Sequence, residues 1–140
     1  MSGETARPAA KPLGRRHARR QALFLLYQWD LTGQPLASLF EGDPDEFAAR
    51  LATAVSERAP ALDERVTGAS EGWPADRLGT LERNILRIGA YELLYDDQVP
   101  DVVAVSEAVA LARDLSTDES PAFVNGLLAR LLQLKPTLGV

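Results

Sequence analysis

The chain has 140 residues, of which 46% are hydrophobic and 25% charged, a composition typical of one compact domain with a buried core. It contains no cysteine, which excludes disulfides, thiolate metal sites and cysteine nucleophiles, so we expect a cytoplasmic location. Residues 1–20 carry six basic and one acidic side chain, whereas residues 21–140 carry nine basic and nineteen acidic ones. A basic end on an acidic body indicates an interaction segment.

The N-terminal part of the chain changes character near residue 14. Residues 1–13 contain proline and small side chains without apolar periodicity, so we expect a flexible leader, followed by one helical domain over residues 14–140. A helical period then runs from residue 15 to 31 and ends at Gly33. The apolar run within it, residues 23–27, is too short for a membrane span, and we expect no membrane contact.

Three helices are predicted in the middle of the chain. The first begins at Asp43 or Pro44 and is closed or kinked at Pro60. Residues 61–73 have apolar side chains at helical spacing and predict a second helix. Residues 80–95 carry apolar side chains over a wide surface, which predicts a central buried helix whose threonine at position 80 is the N-cap.

Two more helices are predicted in the C-terminal third. The first follows Pro100 and has two apolar stripes with small side chains that permit close packing. These stripes are Val102, Val105, Val109 and Ala112, and Ala104, Ala108, Leu111 and Leu115. Ser120 as N-cap and Pro121 as the first helical residue begin the last helix, which runs to about Leu134. Since no segment shows strand alternation or a repeat, we predict an all-α fold of about six or seven helices.

The sequence lacks the parts that catalysis requires. It has one histidine, no cysteine, no glycine-rich phosphate loop and no serine-nucleophile motif, so we expect neither an enzyme nor a cofactor. The acidic pairs at 96–97 and 118–119 have no further ligands nearby. Because both pairs lie where helices begin or end, we interpret them as turn and helix-end residues and expect no metal site.

The main functional signal is the run of Arg15, Arg16, Arg19 and Arg20, which we call the arginine arm. Four arginines at a helix N-terminus oppose the helix macrodipole, so this run is poorly suited to stability alone. On a helix, Arg16, Arg20 and Tyr27 lie within about 40° of each other. Guanidinium groups bind phosphates and stack on bases, and an exposed tyrosine offers a stacking surface, so the pattern favours single-stranded RNA. The alternative is a solvated helix start with Tyr27 in the core.

Three segments carry a family signature. They are residues 15–30 (RRHARRQALFLLYQWD), residues 73–94 with WPADRL and LERNILRIGAYELL, and residues 99–128 with VP, SEAV and FVNGLL. In this order and spacing they resemble the NusB transcription antitermination factors, over roughly residues 15–134. The resemblance implies two small helical bundles packed across each other. Two features depart from the family pattern: the leader is longer than usual, and Ser106 stands where asparagine is commoner.

The resemblance implies an RNA-binding function with a protein partner. Family members bind the boxA element of ribosomal-RNA leader or phage transcripts together with NusE, a small-subunit ribosomal protein, and this assembly joins RNA polymerase and suppresses termination. Carried over by position, the RNA contacts are Arg15, Arg16, Arg19, Arg20, Gln21, Tyr27 and Phe123. The NusE contacts are Glu82, Arg83 and Arg87. For Arg87, an intramolecular ion pair is the alternative.

Two other functions fit parts of the pattern. An RNA-binding accessory domain, like that fused to some ribosomal-RNA cytosine methyltransferases, shares the implied fold, but six residues after Leu134 leave no room for a catalytic domain of about 200 residues. A structural helical protein or DNA-binding repressor is disfavoured because no short helix–turn–helix with a basic recognition helix is visible. The sequence leaves open whether the free protein is a monomer or a homodimer.

Overall fold

The computed structural model describes residues 14–70 and 77–135, so the expected flexible leader and Trp73 lie outside the described residues. Over these two ranges the protein has six α-helices, a short 3-10 turn at Leu36–Leu39 and no β-strand. The helices are α1 (Arg15–Thr32), α2 (Glu46–Glu57), α3 (Ala59–Ala69), α4 (Thr80–Leu94), α5 (Asp101–Leu115) and α6 (Ser120–Leu134). The prediction of an all-α fold with about six or seven helices is confirmed.

Helix α4 is the centre of the fold, as its wide apolar surface predicts. It contacts each of the other five helices, and ten of its fifteen residues are buried, so it packs around almost its whole circumference. Helix α1 packs mainly against α2 on one side of α4, and α5 packs against α6 on the other. The result is two small groups of helices that meet at α4.

Gly89 lets the helices approach closely at this centre. A Cβ atom at position 89 would lie 2.7 Å from Cδ1 of Leu128 and 3.2 Å from Cβ of Ala108. Both distances are shorter than a normal carbon–carbon contact, so the absence of a side chain on α4 sets its spacing from α5 and α6.

The small residues of α5 face this core, but one of the two predicted stripes is wrong at its start. Ala104 and Ala108 are almost fully buried, whereas Val102 is 74% exposed. The reason is angular, because Val102 lies about 160° around the helix from Ala104 and therefore on the opposite face.

The predicted boundary between α2 and α3 is shifted. Helix α2 begins after Asp45, rather than at Asp43 or Pro44, because the Asp45 carboxylate accepts a hydrogen bond from the backbone N–H of Ala48 at 3.0 Å. Pro60 neither closes nor kinks α2. It lies in the first turn of α3, where its missing N–H leaves no helical hydrogen bond unmade.

Three other helix ends test the capping predictions. Gly33 ends α1 as predicted, with a φ of +73° and its N–H donated to the Trp29 carbonyl at 3.0 Å. Thr80 and Ser120 are predicted to be N-caps, but each lies one residue after the N-cap. They are the first residues of their helices, and the backbones of Gly79 and Glu119 occupy the N-cap positions without side-chain capping.

Within residues 14–70 and 77–135, no helix is both long and apolar enough to cross a membrane. The same residues contain no cluster of three or more histidine, aspartate or glutamate side chains able to hold a metal ion. Asp96 has a turn role, since its Oδ1 accepts the backbone N–H of Gln98 at 3.0 Å.

Candidate nucleic-acid interface

The four members of the arginine arm have different environments. Arg15, Arg16 and Arg20 are exposed to solvent, whereas only 5% of the surface of Arg19 is exposed. The first turn of α1 contains no acidic residue that would offset the helix dipole. Carboxylates from other helices provide that negative charge instead.

Arg19 is anchored inside the protein. Its Nε lies 3.0 Å from both carboxylate oxygens of Glu92 on α4, and Glu92 is 1% exposed. Burial raises the pKa of Glu92, although the hydrogen bond and charge of Arg19 act in the opposite direction. Arg19 is therefore held below the surface with its charge paired to Glu92, and its role as an RNA contact stays a prediction.

Arg16 pairs with a carboxylate but stays at the surface. Its Nε and Nη2 donate to the two oxygens of Glu107 on α5, at 3.2 and 2.8 Å, while its side chain remains 62% exposed. The hydrogen bond from Arg16 and its charge lower the pKa of Glu107, and Glu107 in turn raises the pKa of Arg16. Glu107 therefore holds the Arg16 guanidinium in a defined, accessible position.

The other two exposed arginines rest on aromatic rings. The guanidinium carbon of Arg15 is 4.2 Å from the ring centroid of Phe47 on α2. That of Arg20 is 5.7 Å from the ring of Phe24, one turn further along α1. Such cation–π contacts orient a guanidinium while leaving its edge free to donate to phosphate oxygens.

A groove of about 950 Å³ runs beside the start of α1, and we call it the arginine groove. Its walls come from α1, α2, α4, the turn after α4 and the first half of α5. The lining residues used below are Arg15, Arg16, Arg19, Phe47, Arg50 and Tyr91. Sequence reasoning missed Arg50, because a single arginine on a mixed helix has no local signal and only tertiary packing places it beside the arm.

Three further residues predicted to touch RNA lie outside this groove. Gln21 is half-buried, and its Oε1 accepts no hydrogen bond from the residues that the structure describes. Tyr27 is half-buried on α1. Phe123 is 38% exposed and lines a separate groove of about 410 Å³ between the end of α3 and α6. The structure therefore does not gather the predicted RNA contacts into one site.

Arg87 forms the intramolecular ion pair that the sequence left as an alternative. It is 6% exposed, its Nε and Nη2 donate to Asp63 at 2.7 and 2.6 Å, and its Nη1 donates to Asp30 at 3.0 Å. Burial favours a higher pKa for Asp30, but the hydrogen bond from Arg83 and the charge of Arg87 bring it below its usual value. Arg87 is thus held beneath the surface by these ion pairs, and its role as a partner contact stays a prediction.

The other two predicted NusE contacts are also engaged within the protein but are less buried. Arg83 donates to Asp30 at 2.8 Å and to the Leu78 carbonyl at 3.1 Å. Glu82 accepts a hydrogen bond from the Ser116 hydroxyl. Both side chains are half-buried, so part of each remains at the surface, and their partner role stays a prediction.

Comparison with known proteins decides the family. The family model described as the NusB family matches residues 16–133. The chain belongs to the NusB family. The transcription antitermination protein NusB of Thermobifida fusca (strain YX) is 47% identical over 135 residues, which cover 91% of this chain and 95% of the relative. That of Kineococcus radiotolerans is 48% identical over 131 residues, which cover 89% and 96%.

Solved NusB structures share the fold. The solution structure of NusB from Aquifex aeolicus has a TM-score of 0.78 at 29% identity, covering 90% of this chain and 92% of that one. A crystal structure of the antitermination factors NusB and NusE in complex with double-stranded RNA has a TM-score of 0.74 at 26% identity, covering 85% and 96%. The two-bundle architecture implied by the resemblance is confirmed.

Proposed function

We propose that this protein is a transcription antitermination factor that binds boxA-type single-stranded RNA together with the ribosomal protein NusE. In this role it joins the RNA polymerase antitermination complex and promotes transcription of ribosomal-RNA operons. The observation that carries the proposal is the exposure of Arg15, Arg16 and Arg20 at the start of α1 of an otherwise acidic protein.

The chemistry of these three side chains suits RNA. Each guanidinium presents several donors in one plane, which matches the oxygens of a phosphate, and its flat face can stack on an unpaired base. Glu107, Phe47 and Phe24 orient the three groups before any ligand arrives. Tyr27 and Phe123 are proposed as outlying stacking contacts, and Gln21 as a contact to a base edge.

Family relatives support the RNA and NusE partners. Proteins similar to this chain are named transcription antitermination protein NusB, and one similar structure contains NusB, NusE and RNA. We assign NusE to the exposed parts of Glu82 and Arg83 on α4. The relatives reported above are named as antitermination proteins, which favours this function over the methyltransferase-type accessory domain and the DNA-binding repressor.

The experiment that tests the RNA proposal measures binding of a labelled boxA-type RNA across a salt series. The double variant Arg16→Ala with Arg20→Ala should weaken binding and lower the slope of log affinity against log salt by about 1.4, since each phosphate contact on a single strand contributes roughly 0.7. A scrambled RNA and a duplex DNA of the same length are the controls. Unchanged affinity and slope in the double variant would rule out the arm as the RNA site.

A second measurement tests the partner. Adding the cognate NusE protein should raise the RNA affinity, because two proteins that share one RNA make the later contacts intramolecular. Equal RNA affinity with and without NusE over a wide concentration range would refute joint binding.

A further inference from the structure

We infer that the arginine groove is a second RNA subsite, in which Arg50 on α2 binds a phosphate of the strand held by the arginine arm. The inference rests on the proposed function and extends it to a residue outside the family signature segments. Its occupant is the continuation of the same single-stranded RNA.

The first argument is the charge of the groove. Four arginines and two carboxylates line it, although the protein as a whole has a net charge of −5. Arg16 is paired with Glu107, and Arg19 is paired with Glu92 from outside the lining, so Arg15 and Arg50 remain against Asp96, an excess of one positive charge. A positive excess concentrated in a concave site attracts an anionic ligand.

The second argument is the state of Arg50 itself. It is exposed, and it makes no ion pair or side-chain hydrogen bond with the residues that the structure describes. Arg50 follows Phe47 by three positions on α2, so the two side chains lie on the same face of the helix. Since Arg15 sits 4.2 Å above the Phe47 ring, Arg50 extends the positive surface of the arm onto a second helix.

The third argument is the shape and chemistry of the groove floor. The volume of about 950 Å³ lies within the usual range of ligand sites, so the groove can accommodate more than a single ion. Tyr91 and Val99 contribute to the lining, which gives an unpaired base an apolar or aromatic surface beside the arginines. Phosphate-binding cations next to such surfaces are the pattern by which proteins hold single strands.

The test compares three single variants with the wild-type protein in the same RNA salt series. Arg50→Gln removes the charge at the groove, and Arg50→Lys retains it. Arg113→Gln is the matched control, because Arg113 is exposed on α5, does not line the groove and carries the same charge. Since Arg50 is exposed, all three variants should unfold at the wild-type denaturant midpoint.

We expect Arg50→Gln to weaken RNA binding and to lower the salt slope by about 0.7, so that the affinity lost between about 50 and 200 mM salt becomes roughly threefold smaller. Arg50→Lys should keep most of the slope, and Arg113→Gln should resemble the wild type. If Arg50→Gln matches Arg113→Gln while the double arm variant still loses affinity, the groove inference fails and the proposed function stands.

Two other results are informative. Should the double arm variant bind like the wild type while Arg50→Gln weakens binding, the arm assignment fails, and with it the inference that Arg50 binds the strand held by the arm. An acidic protein segment is the competing occupant, so binding of NusE without RNA is measured for the same variants. Weaker NusE binding by Arg50→Gln, with unchanged RNA binding, would overturn the inference.

Discussion

Arg16 and Arg19 lie one turn apart on α1, and each pairs with a glutamate from a distant part of the chain, yet their environments are opposite. The Arg16 side chain is 62% exposed and that of Arg19 is 6% exposed. Glu107 presents Arg16 to solvent, whereas Glu92 retains Arg19 in the core. The comparison teaches that the depth of the partner carboxylate, and not the residue type, separates an accessible arginine from a buried structural one.

Removing the buried guanidinium should have the largest effect. Arg19→Ala leaves the Glu92 carboxylate buried without its partner, and we expect the free energy of unfolding to fall by about 3–5 kcal/mol. Urea denaturation measures this. The double variant Arg19→Met with Glu92→Leu should recover most of the loss, because it removes both charges. If the Arg19→Ala protein is stable but binds RNA more weakly, Arg19 contacts RNA at the surface and is not a structural residue.

Asp30→Asn extends the comparison to the second buried arginine. Loss of the charged acceptor for Arg83 and Arg87 should cost about 1–3 kcal/mol at neutral pH. Because the folded pKa of Asp30 is lowered, its contribution is present above the ordinary aspartate pKa and is lost as pH falls through the lower folded value. The stability difference between wild type and variant should therefore shrink on acidification. A difference that is constant from neutral to strongly acidic pH would contradict this assignment.

Tyr27→Ala tests an intermediate case, since Tyr27 is half-buried. As a stacking platform it should contribute roughly 1–3 kcal/mol to RNA binding, while its removal should change thermal stability only modestly. RNA titration and thermal unfolding of the same preparation separate the two effects. Tyr27→Phe keeps the ring and is the control. A severely destabilised Tyr27→Ala protein would place the ring in the core.

Glu107→Gln should have the smallest effect and concerns the exposed pair. Without the carboxylate, no negative charge competes with phosphate for Arg16, so we expect slightly tighter RNA binding with little change in the salt slope, because Arg16 remains a single phosphate contact. The unfolding midpoint should stay close to the wild-type value. Weaker RNA binding would instead mean that Glu107 is needed to position Arg16.

The sequence predicts the helices well because their signals are local. The apolar period of α4 and the left-handed end of α1 at Gly33 are both encoded within a few residues. Helix starts are less well determined, because Ser120 and Thr80 satisfy the capping preference while their neighbours adopt the capping position. Val102 shows the same limit, since an apolar residue at a helix start can lie on the outer face.

Only part of the candidate site can be predicted from the sequence. The arginine arm is contiguous and therefore recognisable, but its division into exposed and buried members depends on Glu92 and Glu107, which are 73 and 91 residues away along the chain. Arg50 reaches the site through the packing of α2 on α1. Phe123 is separated from the arginine groove by the position of α6. These contacts join residues that are far apart along the chain, so no local sequence pattern predicts them.

The buried Arg19–Glu92 pair also fixes how α1 is aligned along α4. A shift of α1 that placed Leu23 beside Glu92 would leave a carboxylate unpaired in the core, which disfavours that register. The exposed arginines on the same helix are therefore held in place before RNA arrives. Less conformational entropy is lost when RNA binds an ordered helix start than when it must first order a flexible basic segment. If the proposed function holds, the buried Arg19–Glu92 salt bridge raises RNA affinity without touching the RNA.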